Sequence, residues 1–298
     1  MLAYFSHKSF SKIDKYSIVT GSTILLLALS MYLINKTIYQ YQGIEYIPFK
    51  QIILSVLNLA LLNIGFYHTL RANHPILNFL SRINLIYLIL FIMVIYTSEI
   101  QLTPFSTIDP VLLSADRAIG IDTPRILQFT HRYPFLFDSF TLAYSALGPE
   151  LTITLLLAAF FYDKKSQSQL LFLLLSSTLI GFTFYYFFPS TAPATLVDSP
   201  LFLIDQHYTH IKFDLIHAHL PIESFTGGLI AMPSYHCIWI LICQYYLMRF
   251  KWLGRAILPL NVWLIISCLF LGWHYFVDIL TSMVITLSLI VFSKRITT

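Results

Sequence analysis

The chain has 298 residues, 57% of them hydrophobic and only 11% charged, with a mean hydropathy of +0.73. This excludes an ordinary water-soluble domain and makes the bilayer the solvent. The formal net charge of +4 says less in such a chain than the placement of its charges, and nothing supports a nucleic-acid partner.

The apolar runs are continuous rather than alternating, which selects helices over a barrel, and a spanning helix needs ~20 such residues. The first run, Ile18 to Ile34, follows Lys8, Lys12 and Lys15, with no small-x-small cleavage site before Tyr39, and reads as an uncleaved span. Further spans are expected over 52–70, 83–100, 139–162, 170–188, 233–249, 256–273 and 275–293. The predicted fold is therefore an all-α integral membrane protein with about eight transmembrane helices.

Along these spans, Asn58, Asn63 and His68 read as interhelical hydrogen-bond glue. Glu150, behind Gly148-Pro149, is expected in a polar network, and the abundant aromatics read as interface belts and core. Cys237, Cys243 and Cys268 sit inside apolar runs without metal-type or disulfide spacing and read as packing residues.

Sorting the 18 Lys and Arg by side, with the N-terminus inside, puts Lys8, Lys12, Lys15, Arg71, Arg82, Lys164, Lys165, Arg249, Lys251, Arg255, Lys294 and Arg295 on one face, next to short loops. Lys36, Lys50, Arg117, Arg125, Arg132 and Lys212 fall on the other, spread over long loops. The positive-inside rule then places both termini in the cytoplasm and the connections 101–138 and 189–232 on the non-cytoplasmic side. Three regions follow: N-terminal transmembrane helices over 1–100, an interfacial segment over 101–138 and a membrane core over 139–298. In the interfacial segment, Ser114-Ala115-Asp116-Arg117 predicts a Ser-capped amphipathic helix carrying Arg125 and Arg132. The second connection opens on Phe188-Pro189-Ser190-Thr191-Ala192-Pro193, whose prolines end the preceding helix.

Ionisable residues at span ends are costly in such a chain and mark chemistry. One cluster is Gly227-Gly228 followed by Met232-Pro233-Ser234-Tyr235-His236 at the outer entry of the sixth span. Pro233 suits a first helical turn, whose outward N–H groups and dipole suit a phosphate. The other is Gly272-Trp273-His274-Tyr275-Phe276-Val277-Asp278, between the last two spans. A spacing of four turns Asp278 by about 40° from His274 on a helix, so the carboxylate can accept the imidazole N–H, fix its tautomer and aim the other nitrogen at a substrate.

On these residues the sequence resembles the type-2 phosphatidic acid phosphatase superfamily of membrane lipid phosphatases and phosphotransferases. Pro233-Ser234-Tyr235-His236 matches its Pro-Ser-x-His motif, and Ser267-x-x-x-x-Gly272-x-His274-x-x-x-Asp278 matches its last motif. The stretch at 188–193 further resembles the membrane-exit segment of the inositol phosphorylceramide synthase branch.

The resemblance implies a helical-bundle phosphatase core in the C-terminal half. It also implies attack by His274 on phosphorus to form a phosphohistidine, orientation by Asp278 and acid/base work by His236. Ser234 and nearby amides would hold the phosphate oxygens, with no metal and no cofactor required. Apart from the resemblance, Tyr235 by its hydroxyl and Gly228 by its closeness to His236 are further candidates for phosphate contact, a flexible loop being the other reading of Gly228. The expected partners are a membrane lipid substrate and, for a transferase, an alcohol or lipid acceptor.

This chain departs from the family pattern in three places. It lacks the basic Lys-x6-Arg-Pro motif, Cys268 stands where an arginine normally follows the motif serine, and Tyr235 stands for a glycine. Fewer phosphate-binding cations favour a phosphodiester-like headgroup over a dianionic monoester. Arg125 and Arg132, seven apart on one helical face, are the best substitute cations, with headgroup anchoring as their other reading; Lys212 is a weaker one. His207, His210, His217 and His219 form an HxxH and HxH pattern that reads either as a metal site or as a solvated loop. The alternative function is a proton-coupled transporter or flippase using intramembrane His and Asp, which expects those residues nearer the bilayer midplane.

Overall fold

The computed structural model of the protein describes residues 11–42, 53–62, 75–161, 163–222 and 230–297. Every regular element among them is helical: α1 (Lys12–Ile34), α2 (Ile53–Leu62), α3 (Pro75–Ile100), α4 (Asp109–Ala118), α5 (Thr123–Arg132), α6 (Pro134–Ser145), α7 (Leu147–Phe161), α8 (Lys164–Phe187), α9 (Ile204–His217), α10 (Tyr235–Leu247), α11 (Lys251–Phe270) and α12 (Phe276–Thr297). Six helical stretches among the described residues are long and apolar enough to cross a membrane: Lys12–Tyr39, Asn78–Ile100, Pro134–Phe161, Lys164–Phe187, Lys251–Phe270 and Phe276–Thr297. They match six of the eight expected spans. Of the other two, the segment over 52–70 is described only as α2, and the segment over 233–249 is the 13-residue helix α10. Asn63 and His68 lie outside the described residues.

Local chemistry sets the helix ends. Ser11 and Asp14 form a reciprocal capping box at the start of α1. Asp163 caps α8 by accepting the Ser166 N–H at 2.8 Å, and Pro189 follows directly on the end of α8. α6 opens on Pro134 and runs almost without interruption into α7, so the two together make one span.

The interfacial segment folds differently from the expectation. Ser114 is no cap: it lies in the middle of α4 and donates its hydroxyl to the Pro110 carbonyl at 2.8 Å. Pro110 occupies the first turn of α4, which moves the helix start upstream. A turn at Gly120 (φ 84°) separates α4 from α5, where Asp122 is the cap and accepts the Arg125 N–H at 3.3 Å. The single amphipathic helix expected there is therefore two short ones.

α8 is the central column of the bundle, buried along most of its length, and it packs against α1, α3, α10 and α12. Without a hydrophobic drive between helices in lipid, close approach and buried hydrogen bonds hold such a bundle. Asn261 donates to Glu150 and to Gln244, each at 2.8 Å, which puts Glu150 in the polar network expected of it. At the end bearing Lys164 and Lys251, Arg249 reaches Gln169 at 3.2 Å, and Gln169 donates to Ser293 at 2.8 Å.

One glycine decides how closely α8 meets the chain before α10. A Cβ on Gly181 would stand 2.5 Å from the Tyr235 hydroxyl and 2.9 Å from Pro233 Cγ. Gly181→Ala is expected to cost about 1–3 kcal/mol by overpacking, read as a lower unfolding midpoint in detergent micelles, and to displace the segment that carries His236.

Candidate active site

Three helix ends meet at one end of the bundle: α10 begins there, α11 finishes and α12 begins. Ser234, fully buried, caps α10 by accepting the Cys237 N–H at 3.3 Å, which fixes His236 in the first turn. The link from α11 to α12 turns at Gly272 (φ 76°), where a Cβ would come within 2.7 Å of the Phe202 ring. Both its conformation and its surroundings require glycine. The turn brings the His274 backbone N–H back onto the Cys268 carbonyl at 3.1 Å and sends the imidazole under the segment before α10.

His274 is buried, with 4% of its surface exposed. Its Nδ1 faces two oxygens, the Ala231 carbonyl at 2.9 Å and Asp278 Oδ2 at 3.5 Å. A ring nitrogen between two acceptors carries the proton, so Nε2 keeps the lone pair. Asp278 is itself positioned, because the same Oδ2 accepts the Tyr275 N–H at 2.9 Å in the first turn of α12. The pairing of His274 with Asp278 read from their spacing is thus present, and Ala231 adds a second acceptor.

His236 lies opposite, its ring centroid 6.2 Å from that of His274. Its flat face stacks on Tyr144 of α6 (4.0 Å, 18° between planes), and Tyr144 stacks in turn on Trp273 (5.4 Å, 8°). The stack fixes the plane of the imidazole through one of its faces, with Tyr144 between it and Trp273. It also offers the π face of Tyr144 to the ring when it is protonated.

The expected phosphate-binding residues are placed less uniformly. Ser234 caps the turn that carries His236. Gly228 lies outside the described residues. Tyr235 turns into the bundle, donating its hydroxyl to the Ser177 carbonyl at 3.1 Å and packing on Phe182 and Trp239. Arg125 is exposed and paired with Asp122 at 3.0 Å, and Arg132 is exposed with its guanidinium over the Tyr133 ring. Both arginines ride on α5, which packs on α6 and α11. Lys212 is buried on α9, where desolvation lowers its pKa against the pull of Asp205. At the arginine position of the family motif, Cys268 packs against Cys237 with the sulfurs 3.9 Å apart.

Two carboxylates next to the site went unread in the sequence. Asp109 is fully buried and accepts from the Ser190 hydroxyl at 2.8 Å, the Thr191 N–H at 2.9 Å and the Thr191 hydroxyl at 3.0 Å. Asp116, equally buried, accepts the N–H groups of Phe276 at 2.8 Å and Val277 at 3.2 Å. Burial pushes the Asp116 carboxyl above its ordinary pKa while those two N–H groups pull it back. Tyr144 also lay outside every motif.

The histidines of the second connection do not gather. His210 pairs with Asp214 at 3.2 Å, His217 bonds the Phe213 carbonyl at 2.9 Å, and His219 stacks on Tyr41. Among the described residues no group of three or more His, Cys, Asp or Glu side chains is arranged to hold a metal ion.

Neither a curated protein nor a solved structure matches the chain. A family model does, that of the PAP2 superfamily, over residues 110–292. The match takes in α5 to α11 whole, α4 but for its first residue and α12 but for its last five, and with them both histidines, Asp278 and the aromatic stack. Since it spans more than half of the sequence, the chain belongs to the PAP2 superfamily, the lipid phosphatases and phosphotransferases of the type-2 phosphatidic acid phosphatase kind.

Proposed function

We propose that this protein transfers the phosphoryl group of a membrane lipid phosphodiester through a phosphohistidine on His274. The observation that carries this reading is the pair of acceptors on His274 Nδ1. They leave the lone pair on Nε2, which acts as the nucleophile, with the His236 ring 6.2 Å away between centroids. Nε2 attacks phosphorus, the P–O bond to the leaving alcohol breaks, and His236 gives that oxygen its proton. In the second step His236 takes a proton from water or an acceptor alcohol, whose oxygen attacks phosphorus as the P–N bond breaks. Asp278 stabilises the positive charge that the first step creates on the imidazole.

The choice of a phosphodiester rests on charge. Besides Asp278, the buried side chains Asp109 and Asp116 beside the site are acidic rather than basic, and Cys268 fills the arginine position. A singly charged diester needs less cationic support than a dianionic monoester. Ser234 and the first backbone amides of α10 would hold its oxygens, with Arg125 and Arg132 gathering headgroups outside. The site would face the non-cytoplasmic side, with both termini in the cytoplasm, as the charge asymmetry of the loops supports.

Purified protein should be given phosphatidic acid, phosphatidylglycerophosphate, isoprenoid diphosphates, phosphatidylinositol and ceramide, singly and in pairs, while free phosphate and new lipids are followed by mass spectrometry. The expected result is turnover of a diester, with a new phospholipid where an acceptor alcohol is present. Release of phosphate from monoesters alone would reject the diester assignment. Tyr144→Leu is expected to lower kcat by about 10-fold through loss of the stack that orients His236, with the same product ratio.

A further inference from the structure

We infer that α4 is a brace for the nucleophile: its two buried carboxylates, Asp109 and Asp116, are positioning residues, each holding one of the two acceptors that fix the tautomer of His274. This rests on the reading of His274 as nucleophile.

The two acids are seven residues apart, two turns of helix, and so lie on one face of α4. From Asp109 the line runs through the backbone of the second connection. Its carboxylate binds Ser190 and Thr191, the Ser190 carbonyl accepts the Ala231 N–H at 3.2 Å, and the Ala231 carbonyl accepts His274 Nδ1 at 2.9 Å. The Pro189 carbonyl, accepting the Ile108 N–H at 2.8 Å, ties the same segment to the start of α4.

From Asp116 the line runs through α12. The carboxylate takes the first N–H groups of that helix, at Phe276 and Val277. These two residues lie between His274 and Asp278 in the chain. The Asp278 N–H bonds the Tyr275 carbonyl at 3.2 Å, and Asp278 Oδ2 accepts the Tyr275 N–H. Holding the first turn of α12 therefore holds Asp278 against the imidazole. A carboxylate suits the task because two N–H groups need two acceptor oxygens, and the positive end of the helix dipole favours the anion.

Asparagine at either position keeps the shape but offers one acceptor oxygen and turns an amide N–H toward a donor. Asp109→Asn and Asp116→Asn, in the full chain in micelles with phosphatidylinositol as probe, are each expected to lower kcat about 10- to 100-fold, with KM within about 2-fold. Nitrogen-15 NMR of histidine-labelled protein should show the Nδ1–H form of His274 in the parent and a weakened Nδ1–H signal in each variant.

Asp163→Asn supplies the structural control, since it removes a carboxylate cap from the far end of the bundle. It should lower the unfolding midpoint and leave kcat and the His274 signal unchanged. If either aspartate variant fails to fold, Thr191→Val, which removes one Asp109 contact and no charge, should still lower kcat several-fold. Parent-like kcat and His274 signal in the folded variants would overturn the proposal, as would an equal fall in kcat for Asp163→Asn. If the parent does not turn over the probe, the function assignment fails for that lipid, and the NMR comparison decides the brace by itself.

Discussion

His274→Asn is expected to remove lipid turnover, by on the order of 10⁴-fold or more, while leaving the bundle folded. Asparagine is the informative replacement because its side-chain N–H sits where Nδ1–H sits on the imidazole. It keeps a donor between the Ala231 carbonyl and Asp278 and deletes only the Nε2 side of the ring. Alanine would instead leave a buried carboxylate and a carbonyl without their donor, a cost of about 1–3 kcal/mol for each group, and would mix instability with lost chemistry. Unchanged unfolding with no turnover is the expected outcome for His274→Asn, measured by thermal denaturation and product analysis on the same preparation.

His236→Ala should cost about 10²- to 10⁴-fold, the usual range for a general acid–base, and the loss should depend on the leaving group. An alkoxide of diacylglycerol cannot leave without a proton, whereas p-nitrophenolate can. The variant should therefore recover most of its rate in the first step on a p-nitrophenyl phosphodiester and remain slow on lipid. An equal loss on both substrates would assign His236 to binding. The Tyr144 stack makes this separation clean, because the phenol ring is held between His236 and Trp273 and contacts the imidazole face rather than its nitrogens.

The local parts of this site were legible in the sequence. His274 lies just before α12 and Asp278 in its first turn, while Ser234 caps α10 and Pro233 stands before that cap rather than in the first helical turn expected of it, so capping at two helix starts, not helix periodicity, sets their geometry. The spans followed from hydropathy, which is equally local. The brace was not legible, because Asp109 meets Ser190 across 81 residues and Asp116 meets Phe276 across 160. No local pattern encodes such a contact. The Ser-Ala-Asp-Arg stretch even suggested a different role, a serine cap, since a cap reading uses the serine and leaves the aspartate to solvent. Tyr235 was read as facing the phosphate, while the structure seats it beside Gly181, where a missing Cβ two elements away makes the room. Arg125 and Arg132 share a helix as expected, and that helix packs on α6 and α11.

Membership of the superfamily supports phosphoryl transfer on lipid phosphates, and the departures from its basic motifs bear on what is transferred. With Cys268 and Cys237 packed together where an arginine would stand, the site has traded a cation for apolar volume. Cys268→Arg would bury a charge among Leu264, Cys237 and Ile279 and is expected to destabilise the fold strongly rather than restore a phosphate clamp.

The most direct test of the account is to find the covalent intermediate. Protein mixed with lipid labelled at phosphorus, quenched in base within one turnover and digested, should carry an acid-labile, base-stable phosphoryl group on the peptide containing His274. His236→Ala given a labelled p-nitrophenyl phosphodiester, whose leaving group needs no proton, should accumulate it because the second step is slowed. Label on another residue, or full turnover with no label on any histidine, would contradict the central claim.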